Sequence, residues 1–491
     1  MIALNTLAVF PDHGEAVWSR YQKLVGHRIP IPGIADKDSY KYLVEISDIF
    51  YQIAIDRRPE TLEKAGIDPV QDQHYDVIYK HIPTPERVLA VGTGTGNDVA
   101  AALRANAKRV DACDIDPAII NMGRLHHPEK PYDDPRVNVI VDDARHAFRH
   151  LPKQFYDVVV FGLLDSQTQL GMSSVRLDNY VFTMESLAEA KRLLKPGGHL
   201  VITAASFKPW FQERFKRMLE ATINGPIQVF NHRVWYTYIG AVESPDASAS
   251  PLFTAQAEDL PTDDWPFLYL PEKEIPTAYI WMILCLAVAS IIVLKTCGLQ
   301  MGEFSSNHGH LFFLGAAFLL MEVHAINRLA LLFGTTWLVS AVAIGVVLFL
   351  IVCANFTVMA FEQIPYWISY SMLGLSLCIS YLVQAGMVLG EGTGLALGFA
   401  LVLLSPIYFA GLVFARSFST AEMAGPAIGA NILGSVLGGW IEYSTMAFGM
   451  RSLVLLAGIF YFLSLVFILA EYRRLGHFAS LLDQSFEKQR H

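Results

Sequence analysis

Hydrophobic and polar positions change rhythm twice along the chain. Over residues 1–80 apolar and polar residues alternate in short runs, as in Arg20 to Val25 and Tyr42 to Ile46, which predicts a small β-rich subdomain, with Asp56 to Pro69 as a polar connection. From 81 to 244 short apolar runs bounded by polar residues alternate with helix-forming stretches. That is the rhythm of a doubly wound α/β domain. Its strands are predicted at Val88–Val91, Arg109–Asp114, Val137–Val141, Tyr156–Phe161 and His199–Thr203, and Gln228 to Ile239 supplies a last antiparallel pair. Helices are expected over Asp98–Ala105, Pro117–Leu125 and Met184–Leu194, the last stopped by Lys195-Pro196-Gly197-Gly198.

Residues 245–275, rich in Pro, Ser, Ala and Asp, read as a linker. Between 276 and 471 lie about seven apolar stretches, each near the length needed to cross a hydrocarbon core, before a polar tail at 472–491. The fold class expected is therefore an α/β nucleotide-binding domain with a small N-terminal β subdomain, followed by an all-α polytopic membrane domain.

Composition agrees with this division. Hydrophobic residues make up 53% of 491 and charged ones 17%, with a mean hydropathy of +0.35, too apolar for a wholly soluble enzyme of this size. A formal net charge of -9 argues against a nucleic-acid partner. Five cysteines show no paired or metal-ligand spacing, so no metal is expected. The first residues, MIALNTLAVFPDHGE, lack a basic flank and their apolar run is too short and interrupted for a signal peptide, so the α/β domain is expected in the cytoplasm of a multi-pass membrane protein. Seven crossings conflict with the basic tail residues Arg473 and Arg474, which favour the same side.

The chemistry concentrates in RVLAVGTGTGNDVAAALRANAKRVDACDID, from Arg87 to Asp116. Gly92, Gly94 and Gly96 sit where a strand hands over to a helix, so the backbone can approach a ligand closely. Asp114 closes the next strand about twenty residues on, where a carboxylate can accept both hydroxyls of a ribose. Ligands of open α/β sheets bind beyond the carboxyl ends of the strands, so Gly92, Asp114, Asp143 and Asp165 should converge on one crevice. His126, His127, His146 and His150 read as solvated residues of basic helices.

VLAVGTGTGN, VDACDIDP, DDPRVNVIVDDAR, YDVVVFGLLD and LLKPGGHLV, in that order, resemble the spermidine synthase family of aminopropyltransferases, a branch of the Rossmann-like S-adenosylmethionine transferases. GLLDS, SSVRLDNYV and LLFGTTWLV resemble the membrane-bound, spermidine synthase-like proteins of bacteria more closely still, which implies a bacterial-type inner membrane. The resemblance implies S-adenosylmethionine or its decarboxylated form as group donor. It places Gln22, Asp114, Asp143 and Ala144 on the nucleoside, and Gln52, Tyr75 and Tyr180 on the substrate side. Asp165 becomes the candidate base, and a homodimer is a further implication.

The chain departs from the family at two acids, where Gly162 and Thr95 stand, and at the family's Tyr-His-Glu, where it has Tyr75-Asp76-Val77. Loss of a positioned base costs on the order of a hundredfold in rate. Three readings follow: a membrane transferase moving a methyl or aminopropyl group to an amine or lipid acceptor, a polyamine aminopropyltransferase proper, and a binding protein without turnover. In the apolar half, Glu322, Arg328, Asn431 and Glu442 are the polar candidates, since charge at such depth faces a cavity or a partner. Gly425, Gly429, Gly434 and Gly438 predict close helix packing.

Overall fold

The computed structural model describes residues 14–31, 40–47, 49–66, 74–164, 175–205, 208–232, 235–243, 259–296, 305–361, 364–382, 393–419 and 424–488. It is a Rossmann-like α/β domain with an N-terminal β-sheet, followed by a helical region. Two compact units divide it. One comprises Met1–Leu170, Val175–Pro271 and Phe333–Trp337, and the other Gly171–Ser174, Glu272–Leu332 and Leu338–His491.

The first unit opens with an antiparallel meander of β1 (Glu15–Trp18), β2 (Lys23–Pro30), β3 (Tyr40–Ile46) and β4 (Ile49–Ala54), hydrogen-bonded in chain order. Leu24, Tyr42, Val44, Ile46 and Ala54 cluster with Ile119 and Met122, which fixes the meander against the α/β domain. The polar connection expected at Asp56 to Pro69 contains a helix, α1 (Pro59–Ala65). Pro59 pre-sets its first turn, and Asp56 ties its start by accepting from the Thr61 hydroxyl at 2.9 Å.

After α2 (Val77–His81) come β5 (Arg87–Val91), α3 (Asn97–Arg104), β6 (Arg109–Asp114), α4 (Pro117–His126), β7 (Val137–Val141), α5 (Ala144–His150) and β8 (Tyr156–Phe161). The unit continues with α6 (Met184–Lys191), β9 (Leu194–Ala205), α7 (Pro209–Ile223), β10 (Ile227–His232) and β11 (Trp235–Ala241). The seven strands lie in the order β10-β11-β9-β8-β5-β6-β7, parallel from β9 to β7 and antiparallel at β11 and β10. Val88 to Val91 are all buried, as expected of a parallel strand covered on both faces. Two apolar clusters do the covering. Leu89, Phe161 and Leu200 face Phe148, Leu187 and Phe215, whereas Val88, Ala90 and Val110 face Ile78, Val99 and Ile120.

Two expectations change here. Lys195-Pro196-Gly197-Gly198 lies inside β9 as an irregularity rather than before it, because Gly197 takes a φ of +78° and its N–H pairs with the Val242 carbonyl at 2.8 Å. The end of the expected linker is part of the core: Leu260, Trp265, Phe267 and Leu268 are buried. Arg214 donates to the carbonyls of Leu268 (2.7 Å) and Pro271 (2.8 Å).

The second unit is helical: α8 (Thr277–Thr296), α9 (Ser306–Phe333), α10 (Trp337–Ala360), α11 (Tyr366–Leu382), α12 (Thr393–Ser419), α13 (Ala424–Glu442), the short α14 (Thr445–Phe448) and α15 (Ser452–Lys488). Among the described residues five helices are long and apolar enough to cross a membrane, within α9, α10, α12, α13 with α14, and α15. Thr277–Val293 is a shorter apolar helix, and α11 has 17 residues.

The glycine spacing in α13 works at two of its four positions. A Cβ on Gly434 would stand 1.8 Å from the Phe312 carbonyl oxygen and one on Gly438 2.6 Å from that of Ala316, while Gly425 and Gly429 have open space. Asn431 takes part in the same seam: its Nδ2 donates to the Leu311 carbonyl at 3.0 Å. Glu442 and Arg328 are buried, and Glu322 is half-buried. A polar knot outside the predicted set joins three helices. His310 meets the Ser417 and Ser464 hydroxyls, each at 2.7 Å.

Candidate active site

The turn between β5 and α3 is built on backbone that only glycine adopts easily. Gly92, Gly94 and Gly96 have φ of +70°, +51° and +107°. Its amides are spoken for: Gly92 N–H donates to the Cys113 carbonyl at 2.8 Å and Gly94 N–H to Asp114 Oδ2 at 2.7 Å. Gln52, reaching over from β4, accepts at Oε1 from the Thr95 N–H (3.0 Å) and hydroxyl (2.9 Å). The buried Tyr132 hydroxyl donates to the Gly94 carbonyl at 2.7 Å, with Thr93 Oγ1 at 2.9 Å. Gly94 is therefore held from both faces.

Two strand ends, those of β6 and β7, deliver four of the acids. Asp114 closes β6, its second oxygen accepting from the Asp116 N–H at 3.0 Å. Burial pushes its carboxyl up to about 6, against the pull of those backbone donors. Asp116 caps α4 by accepting from Ala118 N–H at 3.0 Å, and Gln22 Nε2 lies 3.4 Å from its other oxygen. Asp143 caps α5 through His146 N–H at 2.9 Å. Asp142 binds the His146 ring nitrogen at 2.6 Å, and that hydrogen bond raises the imidazole pKa.

Several of these groups line one cavity, partly open to solvent, of about 80 Å3. Gln22, Gly92, Asp114, Asp143 and Ala144 all contribute to its wall, together with Tyr21, Tyr51 and apolar Ile46, Ile119 and Leu164. Five aspartates, Asp114, Asp116, Asp142, Asp143 and Asp178, line it, and no Lys, Arg or His does so among the described residues. Such a wall suits a ligand with hydroxyls, an amino group and positive charge, and repels an anionic one.

Other predicted residues lie elsewhere. Gln52, Gly94 and Gly96 are not among the described wall residues, and Gln52 instead holds the loop through Thr95. Tyr75 is buried, its hydroxyl accepting from Asn97 Nδ2 at 3.0 Å. Tyr180 is buried to 1% exposure and is absent from the described wall, because its side chain joins the core. Asp165 and Ser166 fall outside the described residues. Of the four histidines read as solvated, His127 is fully buried and shares a 3.1 Å hydrogen bond with Asn97 Oδ1. His126 stacks on Tyr42, His146 is half-buried, and only His150 is exposed.

Two residues escaped sequence reading. Asp98, in the first turn of α3, is buried, and burial pushes its carboxyl up to about 7. Its Oδ2 lies 2.8 Å from where a Cβ on Gly162 would stand, so this carboxylate takes the room that a side chain at 162 would need. Thr335, a cavity residue from the connection between α9 and α10, donates to Asp143 Oδ2 at 2.6 Å. The phrase LLFGTTWLV carries its only sequence signal.

Residues 73–239 match the family model of the Spermine/spermidine synthase domain. The chain is 28% identical over 160 residues to a spermidine synthase of Solanum lycopersicum, covering 32% of this chain and 43% of that protein. It is 29% identical over 123 residues to a polyamine aminopropyltransferase of Korarchaeum cryptofilum, covering 24% and 36%. The match thus spans less than half the length of these curated relatives. A crystal structure of spermidine synthase with the transition state analogue AdoDATO superposes at 16% identity and a TM-score of 0.34, covering 48% of this chain and 75% of that one.

Proposed function

From a spermidine synthase-like domain at residues 73–239, we propose a membrane-integral transferase that takes an adenosyl sulfonium, S-adenosylmethionine or its decarboxylated form, and passes an aminopropyl or methyl group to an amine or membrane-associated acceptor. The observation that supports it most is the cavity wall, which among the described residues carries five aspartates and no basic side chain. Asp114 faces the ribose hydroxyls, Asp143 the exocyclic amino group of adenine, and the acidic wall favours the sulfonium.

Chemistry at a sulfonium asks little covalent work of the protein. The acceptor nitrogen attacks the carbon bonded to sulfur in line, the carbon–sulfur pair leaves as a neutral thioether, and the nitrogen gives up one proton. Orientation is then the main contribution, and the braced glycine loop and buried acids provide it. The α/β domain lies on the cytoplasmic side of a bacterial-type inner membrane in this reading, where the donor is made, with the apolar helices α9, α10, α12, α13 and α15 in the bilayer.

The test uses the full chain in detergent. Calorimetric titration with each donor should show binding, and Asp114→Ala should weaken it at least tenfold. Incubation of labelled donor with putrescine or a lipid extract should yield a product heavier by an aminopropyl or a methyl group. Undiminished binding by Asp114→Ala, or no binding of either donor by the wild type, overturns the nucleoside site. Binding without product in every acceptor mixture overturns the transferase and leaves a binding protein.

A further inference from the structure

We propose that Thr335 is a positioning residue of the nucleoside cavity, holding the Asp143 carboxylate in the orientation that accepts the exocyclic amino group of adenine. The inference rests on the nucleoside reading above and adds to it a residue from the apolar half of the sequence.

The segment Phe333–Trp337 joins α9 to α10, yet it belongs to the first unit, whereas the helices on either side belong to the second. Three contacts fix it there. Thr335, only 4% exposed, donates from Oγ1 to Asp143 Oδ2 at 2.6 Å. The Arg20 guanidinium lies over the Trp337 ring, 4.6 Å from its centroid. The Trp337 backbone hydrogen-bonds the hydroxyl of Tyr21, another wall residue. The segment is thus anchored on both sides of the cavity, beside β2 and at the start of α5.

Gly334 makes the approach possible. Its φ is +91°, and a Cβ there would stand 2.8 Å from Asp143 Cβ and 3.3 Å from His146 Cβ. The backbone therefore passes at contact distance over the residue whose carboxylate Thr335 holds.

The chemistry follows from the acceptor count of a carboxylate. Asp143 Oδ1 is committed to the His146 N–H at 2.9 Å, which sets one end of the group. The Thr335 hydroxyl takes one lone pair of Oδ2 and stops rotation of the other end, leaving that oxygen a second lone pair. An N–H donor such as an adenine amino group can use it. A carbonyl oxygen in the same place, as in hypoxanthine, would meet an acceptor and be rejected. Thr335 thus bears on base selectivity more than on affinity for the sugar.

The test uses the full chain in detergent, with 5'-methylthioadenosine and 5'-methylthioinosine as probes in calorimetric titration. Wild type should prefer the adenosine probe. Thr335→Val should weaken adenosine binding about tenfold and leave inosine binding unchanged, so that the preference narrows; Thr335→Ser, which keeps the hydroxyl, should behave as wild type. Equal loss for both probes in Thr335→Val would mark a merely structural role, and undiminished affinity for both would mark no role. Either result overturns the proposal while leaving the nucleoside site intact. Failure of wild type to bind either probe would instead remove the nucleoside reading itself.

Discussion

Replacement of Asp98 by Asn should stabilise the first unit, and by an amount that depends on pH. Asp98 is buried at the head of α3, and its carboxyl is pushed from 3.8 to about 7 by desolvation, opposed only by its own backbone N–H. A carboxyl whose pKa is raised on folding holds its proton more tightly in the native state. Its contribution is therefore most favourable below the unfolded value of 3.8 and is lost progressively as pH rises to about 7. At 1.36 kcal/mol per unit, the ionisable wild type is disadvantaged relative to a neutral isostere by roughly 4 kcal/mol at pH 8.5 and roughly 2 kcal/mol at pH 5.5. Asp98 is 5% exposed, so solvent screening takes little from this figure. Asn keeps the size of Asp and an oxygen for the backbone N–H, which leaves charge as the main change. The assay is pulse proteolysis of the full chain in detergent across a urea series, following peptides of the α/β domain at both pH values. Asp98→Asn should resist more urea than wild type, with a gap that shrinks toward pH 5.5. A gap independent of pH, or none at pH 8.5, would refute the assignment of a buried, readily neutralised carboxyl at this position.

Two further outcomes are expected. Arg145, fully buried, forks between Glu189 (3.1 Å at both oxygens) and Asp263 (2.7 and 3.2 Å), so Arg145→Met should cost about 3–5 kcal/mol in the same urea assay at neutral pH. Loss below about 1 kcal/mol would show the carboxylates to be solvated instead. In α13, Gly434→Ala forces a methyl to within 1.8 Å of the Phe312 carbonyl, whereas Gly429→Ala meets open space. Only the first should lower the thermal midpoint of the detergent-solubilised chain; equal behaviour would dissolve the packing argument.

The α/β domain was legible because its signals are local. A buried parallel strand needs an unbroken apolar run, and Val88–Val91 and Val158–Phe161 supply one; the turn after the first needs left-handed backbone, and the glycines supply that. What local signals mark poorly is the point where one stretch becomes another's packing partner. Asp56 to Pro69 reads as polar loop, yet the Asp56–Thr61 bond and Pro59 suffice for a helix of seven residues. Trp265 and Phe267 end a Pro- and Ser-rich stretch, but large aromatic side chains gain enough by burial to enter a core from almost any backbone. His127 failed for the converse reason: basic neighbours suggested solvent, and one buried partner, Asn97, decided otherwise.

The cavity divides along the same line. Gly92, Asp114 and Asp143 stand at strand ends, so periodicity and topology bring them together without any knowledge of side-chain contacts. Asp98 and Thr335 depend on contacts that no periodicity encodes. An aspartate in a helix's first turn is ordinarily read as a partner of the helix dipole, and only the bare backbone of Gly162 beside it shows that α3 has turned this one inward. Thr335 lies 192 residues from the carboxylate it binds, inside an apolar stretch where hydropathy alone assigns it to a turn between spans. Gly334 is the exception that could have been noticed. A glycine between two long apolar helices is unremarkable as a turn, but next to two threonines and a tryptophan it offers bare backbone and hydrogen-bonding side chains together, the combination by which a loop closes on a carboxylate at 2.6 Å.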